Sequence, residues 1–223
     1  YALKAGLRPY LFHACNFYSS LKEFIEGSIS FRYFLDRTSD DDSTFKGLTD
    51  FLKKKKIIFI NHPDRAKKSN DKLVMHMEFI NHKILVPYTV FLKPQEDSRV
   101  LELKVKSLPG IFVLKPTAGT SDARMVLDAR SLDDVLKLRE EYGNIPYLAQ
   151  EKIIPVNLEN KPAWFRMLYF LGEVIVCWWN PVTRSCDILT QAEIDSFRLS
   201  DLSSIMKKIA RIVKLDFFFF TLP

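Results

Sequence analysis

Phe112-Val-Leu-Lys-Pro-Thr-Ala-Gly-Thr-Ser-Asp-Ala-Arg-Met-Val-Leu-Asp128 is two apolar runs joined by a polar loop with one glycine. The first run, Ile111 to Leu114, has the length and composition of a buried strand and ends at Lys115-Pro116. The second, Met125 to Leu127, turns back, so the stretch reads as a hairpin whose first strand presents a lysine. Its tip carries backbone N–H groups, the Thr117, Thr120 and Ser121 hydroxyls and the Lys115 ammonium, all positive ends that suit an anion such as a phosphate. Taken alone it could equally be a surface hairpin with a solvated lysine.

Outward from this hairpin, the chain alternates strands and helices. On the N-terminal side, Phe31 to Leu35, Thr44 to Lys56 and Ile57 to Ile60 read as a β-α-β unit, with Phe45, Leu48, Phe51 and Leu52 on one helix face. The run Lys53 to Lys56 suits a helix C-terminus, and the acidic cluster Asp36 to Asp42 reads as a solvated loop or helix start. Asn61-His-Pro63 ends the strand. Ser69-Asn70-Asp71 caps a helix over 72–81, with Leu73, Met77 and Ile80 as its apolar stripe and Lys72 in its first turn. A lysine there opposes the helix dipole, so a negative group is expected nearby. His76 and His82 read as surface or packing residues. A strand over 85–92 and a helix over 95–108, with Val100, Leu101, Leu103 and Leu108 apolar, precede the hairpin.

On the C-terminal side, Ser131-Leu-Asp-Asp134 resembles a capping box that opens a helix to Tyr142. Tyr147 to Ile154 is a strand. Ala163 to Leu171 and Val174 to Trp179 form a hairpin about Gly172-Glu173, with at least one of Trp178 and Trp179 in the core. A strongly amphipathic helix carries Leu202, Ile205, Met206, Ile209, Ile212 and Val213, and a strand over 215–220 follows.

Composition bounds the function. At 223 residues and 47% hydrophobic, the chain can bury a sizeable core. A net charge of +6 fits an anionic small ligand and, being spread along the chain, argues against nucleic acid. No apolar run approaches a membrane span, and the first residues do not form a signal peptide. Cys15, Cys177 and Cys186 lack metal-ligand spacing, and the expected compartment is a reducing cytoplasm. The chain stops within an apparent core strand, so a longer polypeptide is expected. The sequence is compatible with a homo-oligomer.

Four features stand in order: Asn70-Asp71-Lys72 before a helix, the Val113-Leu-Lys115-Pro116 strand end with its loop, the strand Leu148-Ala-Gln-Glu-Lys-Ile153, and the hairpin of Trp164-Phe-Arg166 and Gly172-Glu173-Val-Ile175. Over residues 57–220 this order resembles the ATP-grasp superfamily, especially the branch of ribosomal-protein glutamate ligase and glutathione synthetase. The resemblance implies an α+β ATP-grasp fold of two subdomains clasping a nucleotide. A partial pre-ATP-grasp domain would cover 1–65, a lid subdomain 66–148 and a larger subdomain 149–223.

It also implies ATP and Mg2+ as cofactors. Lys115 would contact the α- and β-phosphates and Lys72 would support them, under a loop with Gly119, Thr120 and Ser121. Gln150 and Glu151 lead to a strand edge, Lys152-Ile153-Ile154, that would read adenine through its backbone. Arg166 would face the reacting centre; the alternative for a mid-strand arginine is a structural ion pair. The implied reaction activates a carboxylate as an acyl phosphate for attack by an amine. The rivals are a small-molecule kinase on the same fold, similar to inositol-phosphate kinases, and a non-catalytic nucleotide-binding protein. The chain departs from the family in its single loop glycine and in Trp164, where relatives often carry an acid. The family's metal ligands lie past the last strand; Asp187 and Glu193 do not match them, so no metal ligand is assigned.

Overall fold

Asp42 accepts the Thr44 N–H at 2.9 Å and starts a helix, which identifies the end of the acidic cluster as an N-cap. A computed structural model describes residues 6, 8–36, 42–119 and 124–223. The chain divides into two compact units, Tyr1–Ile60 and Asn61–Pro223.

The first unit holds α1 (Phe17–Ile25), β1 (Tyr33–Leu35), α2 (Ser43–Lys53) and β2 (Ile58–Ile60). β1 and β2 pair in parallel, Tyr33 opposite Ile58, with α2 as the crossover that parallel pairing requires. Phe17, Phe45, Leu48, Leu52 and Phe59 form its core. α2 stops three residues short of Lys56, because Lys54 and Lys55 turn back onto the Phe51 and Leu52 carbonyls. Phe31, expected in the strand, instead stacks on Phe24 at 4.7 Å.

The second unit opens with α3 (Pro63–Ser69) and α4 (Lys72–Asn81). Its first sheet uses β3 (Thr89–Leu92), β4 (Phe112–Pro116), β5 (Val126–Ala129) and β6 (Tyr147–Glu151), with α5 (Ser98–Lys106) and α6 (Leu132–Tyr142) between them. The order β3-β6-β4-β5 is antiparallel throughout. One face, with Leu92, Phe112, Leu114, Tyr147 and Ala149, is buried under Leu101 and Val105 of α5 and Val135 and Leu138 of α6. Strand alternation sends Thr89, Val113, Lys115, Leu148 and Gln150 to the other face. The Ser131–Asp134 capping box is formed as expected.

A short ribbon, β7 (Asn157–Leu158) and β8 (Lys161–Pro162), leads to the second sheet. That sheet has β9 (Phe165–Phe170), β10 (Glu173–Trp179), β11 (Cys186–Ile188) and β12 (Phe217–Leu222), ordered β11-β10-β9-β12 and antiparallel. α7 (Gln191–Ser196) and α8 (Asp201–Val213) precede β12. Phe165 and Trp178 pack with Leu202, and Phe218 and Phe220 pack with Ile209, so α8 covers one face. Alternation places Arg166, Leu168, Ile175, Cys177, Trp179, Phe219 and Thr221 on the opposite face.

Several expectations are corrected. α3 is a helix started by Pro63, where only a strand end was read. α4 buries Met75 and Phe79, not the Leu73-Met77-Ile80 stripe; Met77 and Ile80 are 50% and 47% exposed. The reason is tertiary: Met75 and Phe79 meet Ile209, and Phe79 meets Phe220 edge-on at 5.7 Å. α5 begins at the Asp97 cap, buries Val105 and leaves Val100 and Leu103 exposed. β3 begins at Thr89, and Leu85 is 99% exposed. The expected 148/149 subdomain boundary falls inside β6, between β3 and β4. The structure has the α+β content expected, and no helix of the described residues is long and apolar enough to cross a membrane.

Candidate functional site

Asp71 sets the first part of the site. Its carboxylate accepts the Leu73 and Val74 N–H groups, both at 3.0 Å, and so starts α4 with Lys72 in the first turn. The Lys72 N–H donates to the Thr117 carbonyl at 2.8 Å, and its ammonium donates to the Gly119 carbonyl at 2.5 Å. Helix α4 is thereby tied to the loop that leaves β4. Gly119 has φ +89°, a conformation strained for any residue with a Cβ.

Lys115 lies two residues before Thr117. Its ammonium donates to Gln150 Oε1 at 2.7 Å, and Gln150 Nε2 donates to Thr89 Oγ1 at 2.9 Å. This chain of hydrogen bonds crosses β4, β6 and β3 on the face away from α5 and α6. Burial pushes the Lys115 pKa below its ordinary value, and the Lys72 charge pushes it the same way. Lys72, Lys115, Gly119 and Gln150 are therefore brought together. Thr120 and Ser121 lie outside the described residues.

The sequence reading missed two members of this group. His76, one turn after Lys72, is partly buried and its pKa is lowered, first by burial and then by the Lys115 charge. Its four-residue spacing from Lys72 was the available signal. Thr89 gave no signal, since only the β3–β6 register places it beside Gln150.

The expected adenine edge differs in form. β6 is a central strand, and 152–154 leave its end instead of continuing as an exposed edge. The Lys152 N–H is taken by the Ile111 carbonyl at 3.2 Å, and its ammonium pairs with Asp128 at 2.5 Å. Glu151 is bound back to Tyr88, with N–H to carbonyl at 2.8 Å and carboxylate to N–H at 3.2 Å. Ile153 is half-buried and Ile154 exposed.

Arg166 lies on the second sheet, in the middle of the face that α8 leaves uncovered. Its Nε donates to Thr221 Oγ1 at 3.2 Å, and its guanidinium carbon is 3.2 Å from the Trp179 ring centroid and 4.7 Å from that of Phe219. Burial holds its pKa below the ordinary range, and Arg184 adds to the effect. Aromatic faces partly replace the water a guanidinium loses. Trp178 is the core tryptophan, its indole donating to Glu193 at 3.0 Å. These contacts of Arg166 lie within its own sheet. Among the described residues no cluster of three or more His, Cys, Asp or Glu side chains could hold a metal ion, and no magnesium ligand is assigned among them. A cavity of about 350 Å³ between the end of α5 and the start of α6, lined by Glu102, Lys106, Arg130 and Ser131, includes none of these residues.

Neither protein-family models nor the sequences of curated proteins match this chain. Solved structures do. D-alanine–D-alanine ligase from Bacillus anthracis, complexed with ATP, superposes with a TM-score of 0.61 at 15% identity, over 90% of this chain and 65% of that one. VanG D-Ala:D-Ser ligase from Enterococcus faecalis gives 0.63 at 15% identity, over 86% and 60%. The ATP-grasp ligase PsnB, complexed with minimal precursor, Mg and ADP, gives 0.52 at 14% identity, over 96% and 62%. The chain thus spans less than two thirds of the length of these proteins. Two antiparallel sheets in one unit, each backed by helices, agree with these superpositions: the chain has the fold of the ATP-grasp superfamily.

Proposed function

We propose that this chain grips ATP within an ATP-dependent carboxylate–amine ligase. The observation that carries the reading is the approach of Lys72, on α4, to the end of the strand that bears Lys115: Lys72 bonds to Thr117 and Gly119, and its charge lowers the Lys115 pKa. Burial and the Lys72 charge both disfavour the charged Lys115, and a bound polyphosphate offsets that cost. The fold shared with known ATP-grasp ligases supports the nucleotide and the reaction class.

In this reading Lys115 binds the α- and β-phosphates and Lys72 supports the phosphate side. The Gly119 backbone approaches the γ-phosphate, and the backbone after Glu151 meets adenine at Ile153 and Ile154. A carboxylate oxygen of the substrate attacks the γ-phosphorus, and the bond to the bridging oxygen of ADP breaks. The resulting acyl phosphate is attacked by an amine, which loses a proton as phosphate leaves, giving an amide. Arg166, on the open face of the second sheet, stabilises the transferring phosphoryl oxygens. Catalysis is by positioning and charge, with no covalent enzyme intermediate. Magnesium bound with the ATP would offset phosphate charge.

The test supplies MgATP with amino acids and short peptides as carboxylate and amine donors to full-length protein. The expected result is one free phosphate per amide, with carboxylate 18O appearing in that phosphate. A stable phosphorylated product in place of free phosphate identifies a kinase and overturns the ligase reading.

A further inference from the structure

The β10–β11 hairpin places the second and third cysteines side by side. In its register Cys177 faces Ile188 and Trp179 faces Cys186, so the two cysteines are diagonal neighbours on one face of adjacent strands. Their thiols are close enough that Cys186 helps raise the Cys177 pKa. Cys177 is also directly opposite Arg166 in the β9–β10 register, so the pair sits on the same uncovered face as the guanidinium. Cys177 is buried, whereas Cys186 is exposed on a three-residue edge strand whose residues are all exposed. The Asn180 N–H to Ser185 carbonyl bond, 3.1 Å, closes the turn between them, so joining the sulfurs closes only a short local loop.

We infer that Cys177 and Cys186 form a reversible disulfide site, oxidised by a low-molecular-weight disulfide of the glutathione class. The accessible Cys186 reacts first. Its thiolate attacks one sulfur of glutathione disulfide, the S–S bond breaks, and one glutathione thiolate leaves. Cys177, deprotonated, then attacks the Cys186 sulfur of the mixed disulfide and expels the second glutathione thiolate. Two protein thiols are oxidised, one glutathione disulfide is reduced to two thiols, and the two protons end on glutathione. In the dithiol state the Cys177 thiol is pushed up to about 12, first by burial and then by its coupling to Cys186. In the mixed disulfide the Cys186 sulfur can no longer ionise, so that coupling disappears before the second step. The Arg166 guanidinium opposite favours the Cys177 thiolate. The product leaves Arg166 beside a neutral disulfide instead of two groups able to bear negative charge.

The test is incubation of the folded, reduced protein with glutathione disulfide, followed by intact mass and peptide mapping. The expected product is lighter by about 2 Da, contains a Cys177–Cys186 linked peptide, keeps Cys15 outside that link, and reverts with dithiothreitol. Cys177→Ser is expected to stop at a stable glutathione adduct on Cys186, and unfolding in guanidinium should spread the pairing to Cys15. A folded protein that accumulates only the Cys186 adduct, or that pairs either cysteine with Cys15 as readily as with its neighbour, overturns the inference. So does one that does not react. The outcome is independent of whether the protein ligates anything.

Discussion

His76 is the residue whose chemistry best reports on the site. Its pKa lies below the ordinary 6.5 because burial and the Lys115 charge oppose a second cation there. As pH falls through 6.5, the unfolded chain takes up this proton before the native protein does, so stability falls across the window. The loss levels off once His76 protonates in the folded state. Urea midpoints measured as pH is lowered from 8 should therefore carry a destabilising step that His76→Asn removes; an unchanged profile would detach His76 from the lysines. An NMR titration of the imidazole should show its pKa rising in Lys115→Met, and rising again in the native protein when ATP is added. Arg166 makes the complementary prediction. Arg166→Ala should slow turnover at least about tenfold, the scale of a lost charged hydrogen bond in a transition state, while ATP affinity barely moves. A normal turnover rate would leave Arg166 a structural role between Trp179 and Phe219.

Helix α4 shows where local reading succeeds and fails. Its cap was legible, because Asp71 before Lys72 has one structural use, which the two bonds to Leu73 and Val74 make. Its buried face was not. The run Leu73 to Ile80 is apolar on more than one side, and the choice between stripes is made by α8 and β12, more than a hundred residues away. Phe79→Ala should then cost about 3–5 kcal/mol in a urea melt, whereas Met77→Ala should cost about 0.5 kcal/mol or less. The reverse ranking would restore the stripe read from sequence. At the end of α8, Lys214 is in the left-handed region, φ 55°, a position where glycine is unstrained. Lys214→Gly should stabilise the protein by roughly 0.5–1 kcal/mol, seen as a higher midpoint with an unchanged denaturant slope.

At the scale of the molecule, the order of elements was legible and their relation in space only partly so. Lys72, Lys115 and Gln150 were each visible as strand-end or helix-start residues. That Lys72 bonds across to Thr117, and that Gln150 links Lys115 to Thr89, depends on strand register and on the packing of α4, neither of which is a local property. The adenine segment misled for a related reason. A run from Tyr147 to Ile154 looks like one strand, but β6 is flanked on both sides and ends at Glu151, so 152–154 must leave the sheet. Cys177 and Cys186 likewise became neighbours only through the β10–β11 hairpin.

The central claim is that the two lysines hold one nucleotide triphosphate, and Lys115 tests it most directly because its charge is the more deeply buried. The measurement is isothermal calorimetry of MgATP binding to native protein and Lys115→Met, after both are shown to be folded. The account predicts an affinity weaker by about tenfold or more in the variant, the equivalent of a lost charge-assisted hydrogen bond. Equal affinities would contradict it and remove Lys115 from the nucleotide site.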